Sequence, residues 1–257
     1  MRVRPGRLNA VMAGLFILGS ACFALGSVPA FADAVGGVVD GVTFFVGSLF
    51  FTAASFLQLV QAQTPALTGV GAQGQNRRTP VQLWRWLPHD RSWSAAVTQF
   101  PGTLFFNAST LAALAHNASV REEDRHVWRP DIYGSTLFLI AGVFGILAVG
   151  TFRSWRPRSV AWRSAWLNMI GSLLFMASAL AGFVLPRTGE VINLRVDVAG
   201  TLFGALCFLI GAVLMFPAWR RAVHDADTAA AQPHRMTARS GQSEHRSPSI
   251  NKPEGDA

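Results

Sequence analysis

Charge is scarce in this chain: 14% of its 257 residues are Asp, Glu, Lys or Arg, against about a quarter in an ordinary soluble domain. So few charges cannot clothe a water-facing surface, which excludes the soluble globular class. Lysine is scarcer still, Lys252 standing alone among 22 basic residues. The formal charge of +8 is spread over several loops, whereas phosphate recognition needs a concentrated basic face, so no nucleic-acid partner is expected. Cysteine is limited to Cys22 and Cys207, each inside an apolar run. That excludes a disulfide framework or a metal site and leaves two buried thiols. Catalytic signatures are missing as well: there is no HExxH, GxSxG, Walker loop or CxxC. The six histidines are scattered among loops and tail, and no cofactor is expected. His126, Asp131 and Glu123 are candidates for an ionisable cluster at one rim, but an enzyme is the least favoured class.

What is present is apolar sequence in long runs. A helix crosses the hydrocarbon core with about 20 apolar residues, and runs at 10–31, 35–60, 134–152, 164–185 and 198–217 meet that length or nearly so. Residues 94–115 form a less obvious sixth, uncharged but interrupted by Gln99, Pro101 and Asn107. Arginine placement favours counting it, since basic residues near span ends stay in the cytoplasm. With six spans, 17 of the 22 basic residues fall on the cytoplasmic side and 8 of the 14 acidic residues outside. Without the sixth, the cluster Arg153, Arg156, Arg158 and Arg163 would face outward. The expectation is an all-α integral membrane bundle of six transmembrane helices over residues 1–218, with both termini cytoplasmic. Residues 219–257, rich in Ala, Ser, Pro, His and charge, read as a disordered cytoplasmic tail. Ala30-Phe31-Ala32 has the form of a signal-peptidase site, so a cleaved first helix is an alternative; the uncleaved reading is preferred because that helix carries a motif shared with the others.

That motif is Gly-Ser/Thr-x-x-Phe, once in nearly every span. It reads GSACF from Gly19, GSLFF from Gly47, GTLFF from Gly102, GSTLF from Gly134 and GSLLF from Gly171, with variants GTLFG from Gly200 and GALCF from Gly204. GSLFFTAAS, GTLFFNAST and GSLLFMASA share a small pair after the aromatic, and GSACFALGS resembles GALCFLIGA, which suggests duplicated helical units. In lipid, helices approach through small residues and interhelical hydroxyl bonds, so these glycines are expected at packing seams. Gly37-x-x-x-Gly41 adds another small-residue face.

Ionisable groups inside spans, the usual markers of a transport path, are nearly absent. Asn107, Gln99 and Asn168 are the candidates for a polar pocket, with an interhelical hydrogen bond as the simpler role for Asn107. Pro101 is expected to kink its helix. Trp84 and Trp86 flanking Arg85 look like interfacial anchors, and His116 to Tyr133 is expected to fold as a small polar cap.

The closing stretch from Trp166-Leu167-Asn168 through GSLLF, the Pro186-Arg187-Thr188-Gly189 turn and GTLFGALCFLIGAVLMFP resembles bacterial membrane proteins of unknown function with YrhK-like helical hairpins. QFPGTLFFN and VWRPDIYGS are similar to their middle section. The resemblance implies a multi-helix protein of a bacterial inner membrane and no activity. The favoured role is non-enzymatic, structural or complex-forming, with the lipid bilayer and a membrane-protein partner or a second copy as neighbours. A small-molecule permease or channel is the alternative.

Overall fold

A computed structural model describes residues 2–67, 78–114, 124–185 and 187–243. Helix α1, Pro5–Gly26, starts on a proline whose missing N–H costs nothing at a first turn. It stops where Ser27 folds its hydroxyl back onto the Phe23 carbonyl at 2.7 Å and Val28 turns extended ahead of Pro29. A short helix, α2, Pro29–Val35, follows, and Gly36, at φ 81°, turns the chain into α3, Gly37–Gln63. The first long helix therefore ends at 26 rather than the expected 31, because the Val28-Pro29 step interrupts an otherwise apolar run.

Helix α4 is Arg91–Leu114, capped by Asp90, whose carboxylate accepts from the backbone N–H groups of Ser92 and Trp93 at 2.8 and 3.1 Å. A π-helical turn over Asp124–Trp128 leads directly into α5, Arg129–Val149. Residues 124–133 are thus helix rather than the expected cap, braced by the Arg129–Asp124 ion pair at 3.0 Å; His116 and Glu123 lie outside the described residues. Helix α6, Val160–Ala181, is capped by Ser159. Helix α7 begins at Leu194, after Asn193 accepts from the Val196 N–H at 3.1 Å, and continues as helix to Ser243. Residues 219–243 thus continue as helix, which their Ala, Arg and Gln favour; residues 244–257 of the expected tail lie outside the described residues.

The long helices form a closed ring of neighbours, α1 on α3, α3 on α4, α4 on α5, α5 on α6, α6 on α7, and α7 back on α1. One end gathers β1 (Arg2–Val3), paired antiparallel with β2 (Thr79–Pro80), and the bond from the Arg221 guanidinium to the Arg158 carbonyl. We call this the amino-terminal face. The carboxy-terminal ends of α1, α4 and α6 lie at the opposite, hairpin face. All but α4 are long and apolar enough to cross a membrane; α4 is diluted by Gln99, Pro101 and Asn107, yet fills a place in the same ring. The protein is all-α and membrane-embedded in character. Trp84, Trp86 and Trp155 stand exposed at the amino-terminal face, the latter two edge-on to Trp93 and Trp162.

Each hairpin is zipped by one glycine from each helix. A Cβ on Gly19 would lie 3.0 Å from the Gly47 carbonyl oxygen, one on Gly134 3.1 Å from that of Gly102, and one on Gly171 3.0 Å from that of Gly204. Gly200 meets the Leu174 carbonyl as closely, at 2.7 Å. Gly37 departs from the expected packing role, since nothing stands within 4 Å of a Cβ there, while Gly41 faces Leu114.

Candidate functional site

Four residues after each of the six paired glycines comes a phenylalanine: Phe23, Phe51, Phe106, Phe138, Phe175 and Phe208. One helical turn past a crossing, a side chain lies on the same face, displaced along the axis. Because α1, α4 and α6 run toward the hairpin face and α3, α5 and α7 run back, the six rings separate into two layers. Phe51, Phe138 and Phe208 form a triangle with centroids 6.4, 6.0 and 5.8 Å apart, all edge to face. Phe175 joins Phe23 and Phe106 at 5.8 and 5.9 Å in the second layer. Within each hairpin the layers touch, at 5.6 Å for Phe23 with Phe51 and at 5.1 Å for Phe106 with Phe138 and Phe175 with Phe208. All six are buried, and together they make a septum two rings thick across the bundle axis.

A cavity lies against each side of this septum. On the amino-terminal side a pocket of about 140 Å³ ends on Phe16, Phe51 and Phe208 and is lined by Gln58, Gln99, Ser164 and Asn168. It adjoins a wider vestibule of about 420 Å³ through Gln58, Ser164, Asn168 and Met215, with Asn9, Gln61 and Trp219 further out. Neither lining holds an ionisable side chain. Gln99 and Asn9 are 4% and 5% exposed, and among the described residues neither side-chain amide finds a hydrogen-bond partner in the protein. An amide left unpaired in the interior costs about 1–3 kcal/mol, so water or a guest molecule is needed to satisfy them.

On the hairpin side a cavity of about 210 Å³ rests on Phe23, Phe106 and Phe175 and is lined by Asp131, Asp197, Ser178 and Thr201. Ser178 anchors one wall, donating to the Asp197 carboxylate at 2.6 Å with its oxygen 2.7 Å from the Thr201 hydroxyl. Trp128 closes over the edge, donating from its indole nitrogen to the Ala179 carbonyl at 2.7 Å and lying edge-on to Phe183. Among the described residues no group of three or more potential metal ligands occurs.

With known proteins the chain shares nothing detectable: no family model, curated protein or solved structure matches it.

Of the sequence candidates, Gln99 and Asn168 come together at the deep end of the amino-terminal cavity. Asn107 does not join them; its side-chain oxygen accepts from Thr52 of α3 at 3.1 Å, away from both cavities. Sequence reasoning missed Gln58, Asn9 and the cavity role of Asp131. For Asp131 a signal existed in the register of the motif; for Gln58 and Asn9 there was none. Gln99 and Asn168 each stand three residues before a motif glycine, as does Phe16, while Phe44, Asp131 and Thr201 occupy that position in the returning helices. All six line one of the two axial cavities.

Proposed function

We propose that this is a six-span membrane protein of the permease or channel kind, built from three related helical hairpins, with an axial route for a small solute closed at its middle. The observation that carries this reading is the pair of polar-lined cavities meeting a two-layer phenylalanine septum from opposite faces. A binding place near mid-depth, reached from one side at a time, is what solute carriers use. Helix α4, at 24 residues, extends roughly 36 Å, which suffices for a hydrocarbon core of about 30 Å. Arg78, Arg85, Arg153, Arg156 and Arg158 on the amino-terminal face support a cytoplasmic placement of that face.

Reconstitution tests the reading. Liposomes holding the full chain should swell faster than protein-free liposomes in at least one isotonic gradient of a small uncharged solute. A double variant, Phe51→Ala with Phe208→Ala, should widen the route and raise the rate further. No acceleration by either protein across the panel overturns the proposal. A structural or complex-forming role is the second reading, and the closure of all six rings on one another favours it: the two cavities have no lining residue in common.

A further inference from the structure

The amino-terminal cavity has a chemistry more specific than a polar route requires. Its deep end is an aromatic floor of Phe16, Phe51 and Phe208, whose rings meet edge to face, and three primary amides, on Gln58, Gln99 and Asn168, share the lining. Each amide offers a donor NH₂ and an acceptor carbonyl, and among the described residues none of the three is engaged by another protein group. Gln99 is the most telling, being 4% exposed and facing the cavity without a partner. With no ionisable group in this pocket or in the vestibule outside it, a charged guest would be buried without a counter-ion, a cost that an uncharged guest does not meet. The volume of about 140 Å³ is that of a cavity able to take one benzene-sized guest, ~150 Å³.

We infer that this pocket is a binding site for a small, planar, uncharged amide, of the urea or short carboxamide class. Such a molecule stacks its flat face on one of the phenylalanine rings and presents a donor and an acceptor in one plane, the complement of what Gln99, Asn168 and Gln58 present. The hairpin-side cavity lacks this character, since its walls carry Asp131 and Asp197. The inference rests on the permease reading for its biological meaning, while binding is measured without it.

The test is ligand-observed saturation-transfer NMR on the full chain in lipid nanodiscs. Acetamide and methylurea are the probes, acetate and methylguanidinium their charged counterparts, and glycerol a non-planar control. Acetamide and methylurea should show at least fivefold stronger saturation transfer than the charged pair or glycerol. Gln99→Leu and Asn168→Leu should each reduce that signal at least fivefold; Gln58→Leu, at a less buried position, serves if either fails to give a monodisperse helical protein. Equal signals from the charged probes, a preference for glycerol, or unchanged amide binding in folded leucine variants overturns the inference. The outcomes separate from those of the permease reading. Amide binding without flux leaves the site standing and removes the transport role, whereas flux of other solutes without amide binding does the reverse.

Discussion

Gly200 and Leu174 approach so closely that a Cβ on the glycine would stand 2.7 Å from the leucine carbonyl oxygen. A backbone oxygen cannot swing aside as a side chain can, so α6 and α7 must separate if anything larger than hydrogen is placed there. Gly200→Ala should destabilise the folded protein by roughly 1–3 kcal/mol, the usual cost of overpacking. Gly14→Ala is the control, because a Cβ at that position has nothing within 4 Å. Thermal unfolding in detergent should show a lowered midpoint for the first and no loss for the second.

The phenylalanine septum makes a different prediction. Phe138 is 3% exposed and packs edge to face on Phe51, Phe106 and Phe208. Truncation to alanine should cost about 3–5 kcal/mol from the cavity left behind. Phe138→Leu retains most of the volume and should recover more than half of the loss. Equal stability of Phe138→Ala and the unaltered protein would show that the layers are not packed as described.

Asn107 separates a packing role from a cavity role. Its bond with Thr52 joins α3 to α4, and interhelical polar bonds in membranes average about 0.6 kcal/mol. Asn107→Leu should therefore lower stability slightly and leave acetamide binding unchanged within a factor of two. A fivefold loss of binding would move Asn107 into the site.

The number of crossings is read by reporters. A fusion at residue 125, in the π-turn before α5, should report the non-cytoplasmic side, and one at residue 225 the cytoplasm. Cytoplasmic signal at 125 means that α4 does not cross.

Part of this architecture was legible because one residue, glycine, marks the seam within each hairpin. The small residues recur once per helix, and their packing role follows from the need of helices in lipid for close contact. What the motif could not reveal by itself was which glycine meets which, or that six scattered phenylalanines would gather into two layers; both depend on helix order around the ring. The polar pocket was half legible. Gln99 and Asn107 are eight residues apart, which on an α-helix means about 12 Å along the axis and roughly 80° around it, so they cannot serve one site. Gln99 and Asn168 share a register three residues ahead of their glycines, and that equivalence brings them together from different helices. The break at Val28-Pro29 was obscured by the apolar run around it. The continuation of α7 to Ser243 was not legible, because hydropathy is silent on helix propensity in polar sequence.

Cysteine accessibility probes the central claim, two cavities on opposite faces with a shut septum between them. In a protein with Cys22 and Cys207 replaced by alanine, Asn168→Cys and Thr201→Cys are treated with a membrane-impermeant thiol reagent in vesicles of each orientation. The account predicts modification of Asn168→Cys from the amino-terminal face alone and of Thr201→Cys from the hairpin face alone. Modification of both from the same face, or of either from both faces, contradicts it.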